Sequence, residues 1–160
     1  MSALKKKSWN RLDLPVYSVA SHDGTQHNMN ICTYASQVSM QPKRYMVAVY
    51  KGTKTLDNIS GQGSFVLQIL STAHLNLINR LGKQSGHTKD KLKTISRRLT
   101  DYHGYRILAD ALAVIELRVL SLTDAGDHVL ALCDVVSYRN ISEGESLMLH
   151  HLRDKKLIAI

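Results

Sequence analysis

The sequence predicts a mainly β fold, a closed or nearly closed barrel with short flanking helices. Three observations carry this. Apolar runs of strand length recur between clusters of turn-forming residues, the two longest runs flank a polar, glycine-containing connection, and every segment with helical spacing is short.

The first run, Val16 to Ala20, is bounded by Pro15 and by Ser21-His22-Asp23-Gly24, whose Asp-Gly pair suits a tight hairpin turn. Asn28 to Thr33 is its expected return strand. Tyr45 to Tyr50 follows Pro42 as a nearly continuous apolar run, long enough for a buried strand and too short for a typical helix. Within Thr55 to Ser60, Leu56 and Ile59 stand three apart beside Asp57 and Asn58, a spacing that predicts one or two helical turns. Ser64 to Leu70 repeats the buried-strand pattern, and Ser71-Thr72 offers an N-cap for a helix carrying Leu75, Leu77, Ile78 and Leu81 and ending at Gly82. Lys83 to His103 lacks strand alternation; its Leu92, Ile95 and Leu99 suit one face of a basic amphipathic helix, so the stretch reads as an excursion from the barrel. Ala113 to Leu122 and Val129 to Tyr138 are the longest strands, joined by a hairpin through Thr123 to His128, and Glu116 with Arg118 marks one face of the first as polar or paired. Leu147 to Leu149 and Leu157 to Ile160 are expected to close the sheet.

A length of 160 residues fits one domain with a substantial core, read as residues 13–160, with residues 1–12 as an N-terminal tail. The hydrophobic fraction of 44% and charged fraction of 21% are those of a soluble globular chain. No stretch approaches the ~20 apolar residues of a membrane span. Behind Lys5-Lys6-Lys7 there is no apolar secretory core, so a cytoplasmic protein is expected. Cys32 and Cys133 form neither a disulfide framework nor a zinc-ligand spacing and read as small buried apolar residues. His150-His151 falls near an expected strand, where neighbours point to opposite faces, and no metal site is expected.

The formal charge of +8 is concentrated: Arg80 through Arg106 carries eight Lys and Arg against Asp90 and Asp101, a local +6. Such a block attracts nucleic acid, an acidic protein or a phosphorylated small molecule through the same long-range field, and charge alone does not choose among them. The few aromatic residues are not interleaved with the basic ones. A base-stacking platform is therefore missing, and no nucleic-acid partner is expected.

Lys51, Thr53, Lys54 and Thr55 place cations and hydroxyls within five residues, just before a predicted helical turn whose free N–H groups favour anions. Taken alone, the same residues read equally well as an exposed polar turn. They belong to a longer series, however. Pro15-Val16-Tyr17, Asp23-Gly24 and Asn28-Met29-Asn30-Ile31-Cys32-Thr33 come first, followed by Ala35-Ser36-Gln37-Val38-Ser39-Met40-Gln41-Pro42 and Lys51-Gly52-Thr53-Lys54-Thr55. Gly63-Ser64-Phe65-Val66-Leu67, Ser85-Gly86-His87-Thr88-Lys89-Asp90-Lys91 and Gly126-Asp127-His128 complete it. In this order and spacing, over roughly residues 15–151, the motifs resemble the flavin reductase-like family of NAD(P)H:FMN oxidoreductases and flavoredoxins. Lys43 stands where a second Pro is usual in that family, and Ile31 where Thr is frequent.

The resemblance implies an FMN-binding split barrel, FMN held between the Thr33–Ser39 and Lys51–Thr55 segments, and a homodimer with the flavin at its interface. It assigns Asn30, Ile31, Cys32, Thr33, Ala35, Ser36 and Ser39 to the flavin. Lys51, Thr53, Lys54 and Thr55 fall to its phosphate, and His128 to the vicinity of flavin and nicotinamide. NADH or NADPH would be the electron donor. Free flavin, a partner oxygenase or other acceptor protein, a metal chelate or oxygen would take the electrons. Hydride transfer needs no protein nucleophile, since the cofactor carries the chemistry. Two other classes remain open: a split-barrel module that holds FMN or haem without turnover, and a nucleic-acid or acidic-protein binder acting through the Arg80–Arg106 block.

Overall fold

The chain alternates between two apolar destinations, and this alternation makes the strands. The structure, a computed structural model, describes residues 5–160. Seven strands form one antiparallel sheet: β1 (Tyr17–His22), β2 (His27–Cys32), β3 (Ala35–Ser39), β4 (Arg44–Tyr50), β5 (Ser64–Ile69), β8 (Ala113–Ala125) and β9 (His128–Asn140). β6 (Leu99–Tyr102) and β7 (Tyr105–Leu108) pair separately as a hairpin. The helices α1 (Lys54–Gln62), α2 (Ile78–Lys83) and α3 (Leu149–Asp154) are short. The fold is thus mainly β with short flanking helices, as the sequence predicts.

The strand order is β2-β1-β5-β8-β9-β4-β3, which puts β2 and β3 at opposite ends of the sheet. These two strands are consecutive in the chain and separated only by Thr33 and Tyr34. A flat sheet of seven strands would hold its edges about 28 Å apart, whereas the three steps from Cys32 to Ala35 span at most about 10 Å. The sheet therefore has to curl until its edges meet. At the junction the Ala48 amide donates to the Tyr34 carbonyl at 2.8 Å, one residue before Ala35 pairs with Val47.

Inside the curl lie Val19, Val47, Val49, Phe65, Leu67, Leu117, Ala131 and Cys133, with Ile59 of α1 closing one end. The intervening residues Val16, Ala20, Val66 and Val114 face outward and are covered by Leu77, Ile78 and Leu81 around α2, by Leu92 and Ile95, and by Tyr102, Tyr105 and Ile107 of the β6–β7 hairpin. A period of two thus feeds both cores from the same strands. Beyond the barrel β8 and β9 run on as a long hairpin whose turn, at Gly126 with φ 84°, falls within the predicted connection. Glu116 and Arg118 are paired, with His103 at 2.7 Å and with Asp134 at 3.4 Å respectively.

The structure corrects several expectations. The predicted helix after Ser71 is a 3-10 segment, Thr72–Leu77, followed by α2, which runs one residue past Gly82. The excursion holds no long amphipathic helix. Leu92 and Ile95 are buried as expected, but on a loop and a 3-10 turn (Lys93–Arg98), and Leu99 opens β6. The C-terminal segment adds no strand to the sheet: it touches it through isolated bridges, Pro15 with Met148 and Ser71 with Ser146, and then forms α3. Leu149 and Leu152, three apart, bury one helical face, while Leu157–Ile160 has no regular structure. His150 and His151 accordingly lie on a helix, each beside its own carboxylate, Asp13 at 2.5 Å and Glu145 at 3.3 Å. Of the expected tail, residues 1–4 lie outside the described residues, and Ser8–Arg11 forms a 3-10 turn that leaves Trp9 exposed. No helix among the described residues is long and apolar enough to cross a membrane.

Candidate functional site

The seam where β2 passes into β3 does not close flush. A cavity of about 290 Å³ opens there, lined by Asn30 to Tyr34, by Ala48 to Tyr50 of β4, and by His128 at the start of β9. A second cavity of about 260 Å³ adjoins it and shares Asn30, Tyr50 and Thr55. The second is bounded by the Lys51–Thr55 segment on one side and by Gly82–Gly86 on the other.

The two halves differ in chemistry. In the first, His128 sits between two half-exposed tyrosines, its ring centroid 5.2 Å from both Tyr34 and Tyr50, and its Nδ1 lies 2.6 Å from Asp127 Oδ1. The register explains the placement, because Tyr50 is the β4 partner of His128. Burial pushes the Cys32 thiol up to about 11, so it lines the cavity as a neutral group, with Ala48 O 3.8 Å from its sulfur. Cys133, in the barrel core, is pushed up to about 12 by the same cause.

The second half is cationic. Lys51, Lys54, Lys83 and Lys91 all line it, and none of its lining residues is Asp or Glu. It stands at the N-terminus of α1. There Thr53 caps the helix by accepting from the Leu56 amide at 3.2 Å, while its hydroxyl donates to the Tyr50 carbonyl at 2.8 Å. The amides of Lys54 and Thr55 open the first turn, where no intrahelical carbonyl is available to them, and the helix dipole adds partial positive charge. Lys54 reaches Asp23 Oδ2 at 2.6 Å, and Lys51 is paired with Asp124. The Gln26 amide, with Lys54 and Thr25, holds the Asp23 carboxyl well below the ordinary carboxylate range.

The excursion forms the far wall. His87 Nε2 lies 2.7 Å from Asp57 Oδ2 of α1, and Gly86 is pressed against β2 and α1. A Cβ on Gly86 would stand 2.4 Å from Asn28 Oδ1 and 3.0 Å from Lys54 Cβ. Asn28 is itself buried and donates through Nδ2 to Thr55 Oγ1 at 3.0 Å.

Of the residues the sequence singled out, Asn30, Ile31, Cys32, Thr33, Lys51, Thr53, Lys54, Thr55 and His128 come together around these joined cavities. Ala35, Ser36 and Ser39 do not line them. They lie on β3, where Ala35 packs against the barrel core and the exposed Ser36 hydroxyl donates to the neighbouring Gln37 carbonyl at 3.2 Å. Sequence reasoning missed Tyr34 and Tyr50 as lining residues, although both flank motifs it had picked out. It also gave Lys83 and Lys91 no role, because their proximity to Lys54 arises only when the excursion folds back. Among the described residues no cluster of three or more His, Cys, Asp or Glu could hold a metal ion.

A family described as "Flavin reductase like domain" matches residues 9–157. The "High molecular weight rubredoxin" of Moorella thermoacetica is 27% identical over 143 residues, which cover 88% of this chain and 62% of that protein. The "Putative diflavin flavoprotein A 2" of a Nostoc species is 27% identical over 131 residues, 81% of this chain and 22% of that protein. The chain thus spans under two thirds of the former and under a quarter of the latter. Among solved structures, the NADH:FAD oxidoreductase SgcE6 of Streptomyces globisporus, in complex with NAD and FAD fragments, superposes with a TM-score of 0.76 at 18% identity. That superposition covers 86% of this chain and 81% of the other.

The close approach of Gly86 is directly testable. In Gly86→Ala the new methyl must displace Asn28 or lift the excursion, and overpacking of this kind costs about 1–3 kcal/mol. The urea midpoint should fall by the corresponding amount with an unchanged slope. A variant as stable as the wild type would show that the excursion is not packed against β2 and α1 in this way.

Proposed function

The chain belongs to the flavin reductase-like domain family, and from that footing we propose that it is an FMN-dependent oxidoreductase. It takes hydride from NADH or NADPH onto FMN and delivers electrons to free flavin, a partner protein or another acceptor. The observation that carries this reading is the pair of joined cavities at the barrel seam, one neutral and flanked by aromatic rings, the other cationic and free of carboxylates. Each alone falls just short of the roughly 300–1,000 Å³ of small-molecule sites, whereas joined they lie within that range. A flavin mononucleotide has the same division, with a flat aromatic system at one end and a phosphate of nearly two negative charges at the other.

The residues fit the group. Lys51, Lys54, the Thr53–Thr55 turn and the first amides of α1 would hold the phosphate, and Asn30 to Tyr34 with Tyr50 and His128 would enclose the ring system. FMN, when bound, supplies the hydride-accepting chemistry. The chain contributes orientation and electrostatics: the short β2–β3 link fixes the seam, β9 holds His128 at the cavity mouth, and the ion pairs with Asp23 and Asp124 keep two lysines in place.

The active form is a homodimer. Val38 and Met40 at the β3 end, Leu120 and Leu122 on β8, and Val136 and Tyr138 on β9 are exposed, and an apolar cavity of about 710 Å³ lies beside Tyr45, Val135 and Tyr138. Apolar surface on this scale is usually covered, and a second copy is the commonest cover. Light scattering should give twice the 17.9 kDa chain mass; a monomer that retains stoichiometric FMN would remove this part of the proposal.

Reduction is tested on the purified protein. It should carry a flavin absorption spectrum, alone or after addition of FMN, and NADH or NADPH should bleach it rapidly. A protein that binds no FMN contradicts the reading outright, and one that binds FMN without bleaching is a non-catalytic flavin module.

The phosphate end is tested by Lys54→Ala. Charge-assisted bonds contribute roughly 1.5–3 kcal/mol, so FMN affinity should fall about tenfold to a hundredfold. Riboflavin, which lacks the phosphate, should bind nearly as before. Equal losses for the two ligands, or none for either, would place the phosphate elsewhere.

A further inference from the structure

Two cations of the basic stretch between Arg80 and Arg106, Lys93 and Arg106, meet away from the seam, at a cavity of about 480 Å³. It shares no lining residue with the joined cavities described above. Its walls come from three elements: the β1–β2 turn with His27, the 3-10 turn Lys93–Arg98, and the β6–β7 hairpin. Side chains alternate along β2, so that Asn28 and Asn30 line the cationic cavity while His27 falls with Met29, which packs into the outer core. The outer cavity therefore lies across the edge strand β2 from the flavin side.

The chain leaves polar groups unsatisfied here. Arg106 is half-buried, and among the described residues it forms no salt bridge, although Asp101 is its cross-strand partner. Lys93 is exposed and likewise forms none. Nδ1 of His27 is buried without a hydrogen-bond partner. Burial, with His22 and Arg106 nearby, holds the His27 imidazole below its ordinary range, so near neutral pH the ring offers a hydrogen bond and no charge. A half-buried guanidinium without a counter-ion is costly, and an anion seated in the cavity would offset that cost.

The walls are themselves fastened. Asp23 Oδ1 accepts from the Thr25 amide at 2.9 Å and from the Gln26 amide at 2.7 Å, which fixes the β1–β2 turn. Arg80 is bonded to Thr94 and Arg98 is paired with Asp110, and these ties hold the 3-10 turn. The cations are thus presented from two elements whose positions are set by other contacts.

We propose that this outer cavity binds a small phosphate monoester with a hydroxylated organic part, a sugar phosphate or a nucleoside monophosphate. Lys93 and Arg106 are its charged ligands, and Ser96 adds a hydroxyl. Arg106 suits a phosphate in particular, since its planar fork matches two oxygens at once. The volume lies within the range of small-molecule sites and leaves room beyond the phosphate, over an apolar floor of Leu92 and Leu99. Asp90 selects against a bare anion: one of its oxygens accepts from the Leu92 amide at 3.1 Å, and the other is left to accept from a ligand hydroxyl. The proposal stands independently of the flavin reading, because it uses none of the seam residues.

Calorimetric titration of the full chain at about pH 7.5, where a phosphate monoester is mostly dianionic, tests it with ribose 5-phosphate, AMP, inorganic phosphate and ribose. A monoester should bind about tenfold or more tightly than inorganic phosphate, and ribose should not bind. AMP binding above ribose 5-phosphate assigns the site to a nucleoside monophosphate, and equal binding assigns it to a sugar phosphate. Arg106→Met and Lys93→Met should each weaken the monoester about tenfold to a hundredfold. Lys51→Ala, on the cationic cavity, should leave it unchanged. Thermal melting confirms that each variant folds; if Arg106→Met does not, Lys93→Met, at an exposed position, decides alone. Absence of monoester binding, inorganic phosphate binding equally well, or undiminished binding in a folded Lys93→Met overturns the proposal. Loss in Lys51→Ala alone would place the anion in the cationic cavity and overturns it too. A chain that binds no FMN would refute the flavin reading and leave these titrations as decisive as before.

Discussion

Thr33 and Tyr34 are the whole of the connection between β2 and β3, and a link so short between opposite ends of a seven-stranded order leaves the sheet no choice but to curl. Closure creates two apolar destinations at once, an interior filled by Phe65, Leu67 and Leu117, and an outer face that has to be covered by α2, the excursion and the β6–β7 hairpin. The same closure is imperfect where the chain crosses from one edge to the other. There the backbone turns through Thr33 and Tyr34 in place of pairing along a full strand, and this is where the neutral cavity lies.

The division of the site into a neutral and a cationic half follows from which elements meet at each end. Strand ends supply the neutral half, and the register of β4 with β9 sets Tyr50 against His128. The cationic half is a helix start facing a folded-back loop, so it gathers lysines from stretches as distant as residues 51 and 91. Asp23 and Asp124 pair with Lys54 and Lys51, yet neither carboxylate lines the cavity, whose charged lining residues are all lysines. Within the basic stretch from Arg80 to Arg106, Arg80 is tied locally to Thr94 and Arg98 to Asp110.

Strands with one or both faces buried were legible in the sequence, because burial imposes a pattern on residue choice. Val16 to Ala20, Tyr45 to Tyr50 and Ser64 to Leu70 each match an observed strand to within a residue or two, and the β8–β9 turn lies inside its predicted connection. β3 was not read as a strand, since Ala35-Ser36-Gln37-Val38-Ser39 at the sheet edge has no fully buried residue and hence no alternation to detect. The β6–β7 hairpin was hidden for a different reason: its turn uses His103 at φ 49° ahead of Gly104 at φ 87°, and the basic residues around it suggested a helix face. At the site, motif order identified most of the residues that converge, because motifs record local chemistry. Lys91 was named as the last residue of the Ser85–Lys91 motif but given no role, because its burial is a property of how residues 83–99 fold back.

The pairing order also governs how the barrel can assemble. β1–β2, β3–β4 and β8–β9 are joined locally, and hairpins of this kind form in microseconds. β4 with β9 is different: Val47 meets Ala131 across more than half the chain, and pairings that remote make for slow folding. Until that step is complete β2 and β3 flank nothing, and the seam does not exist. A ligand of the seam can therefore bind only the finished barrel, so its binding energy stabilises the native state against every half-zipped sheet. The fold is in this sense a latch that a cofactor bound at the seam would hold shut.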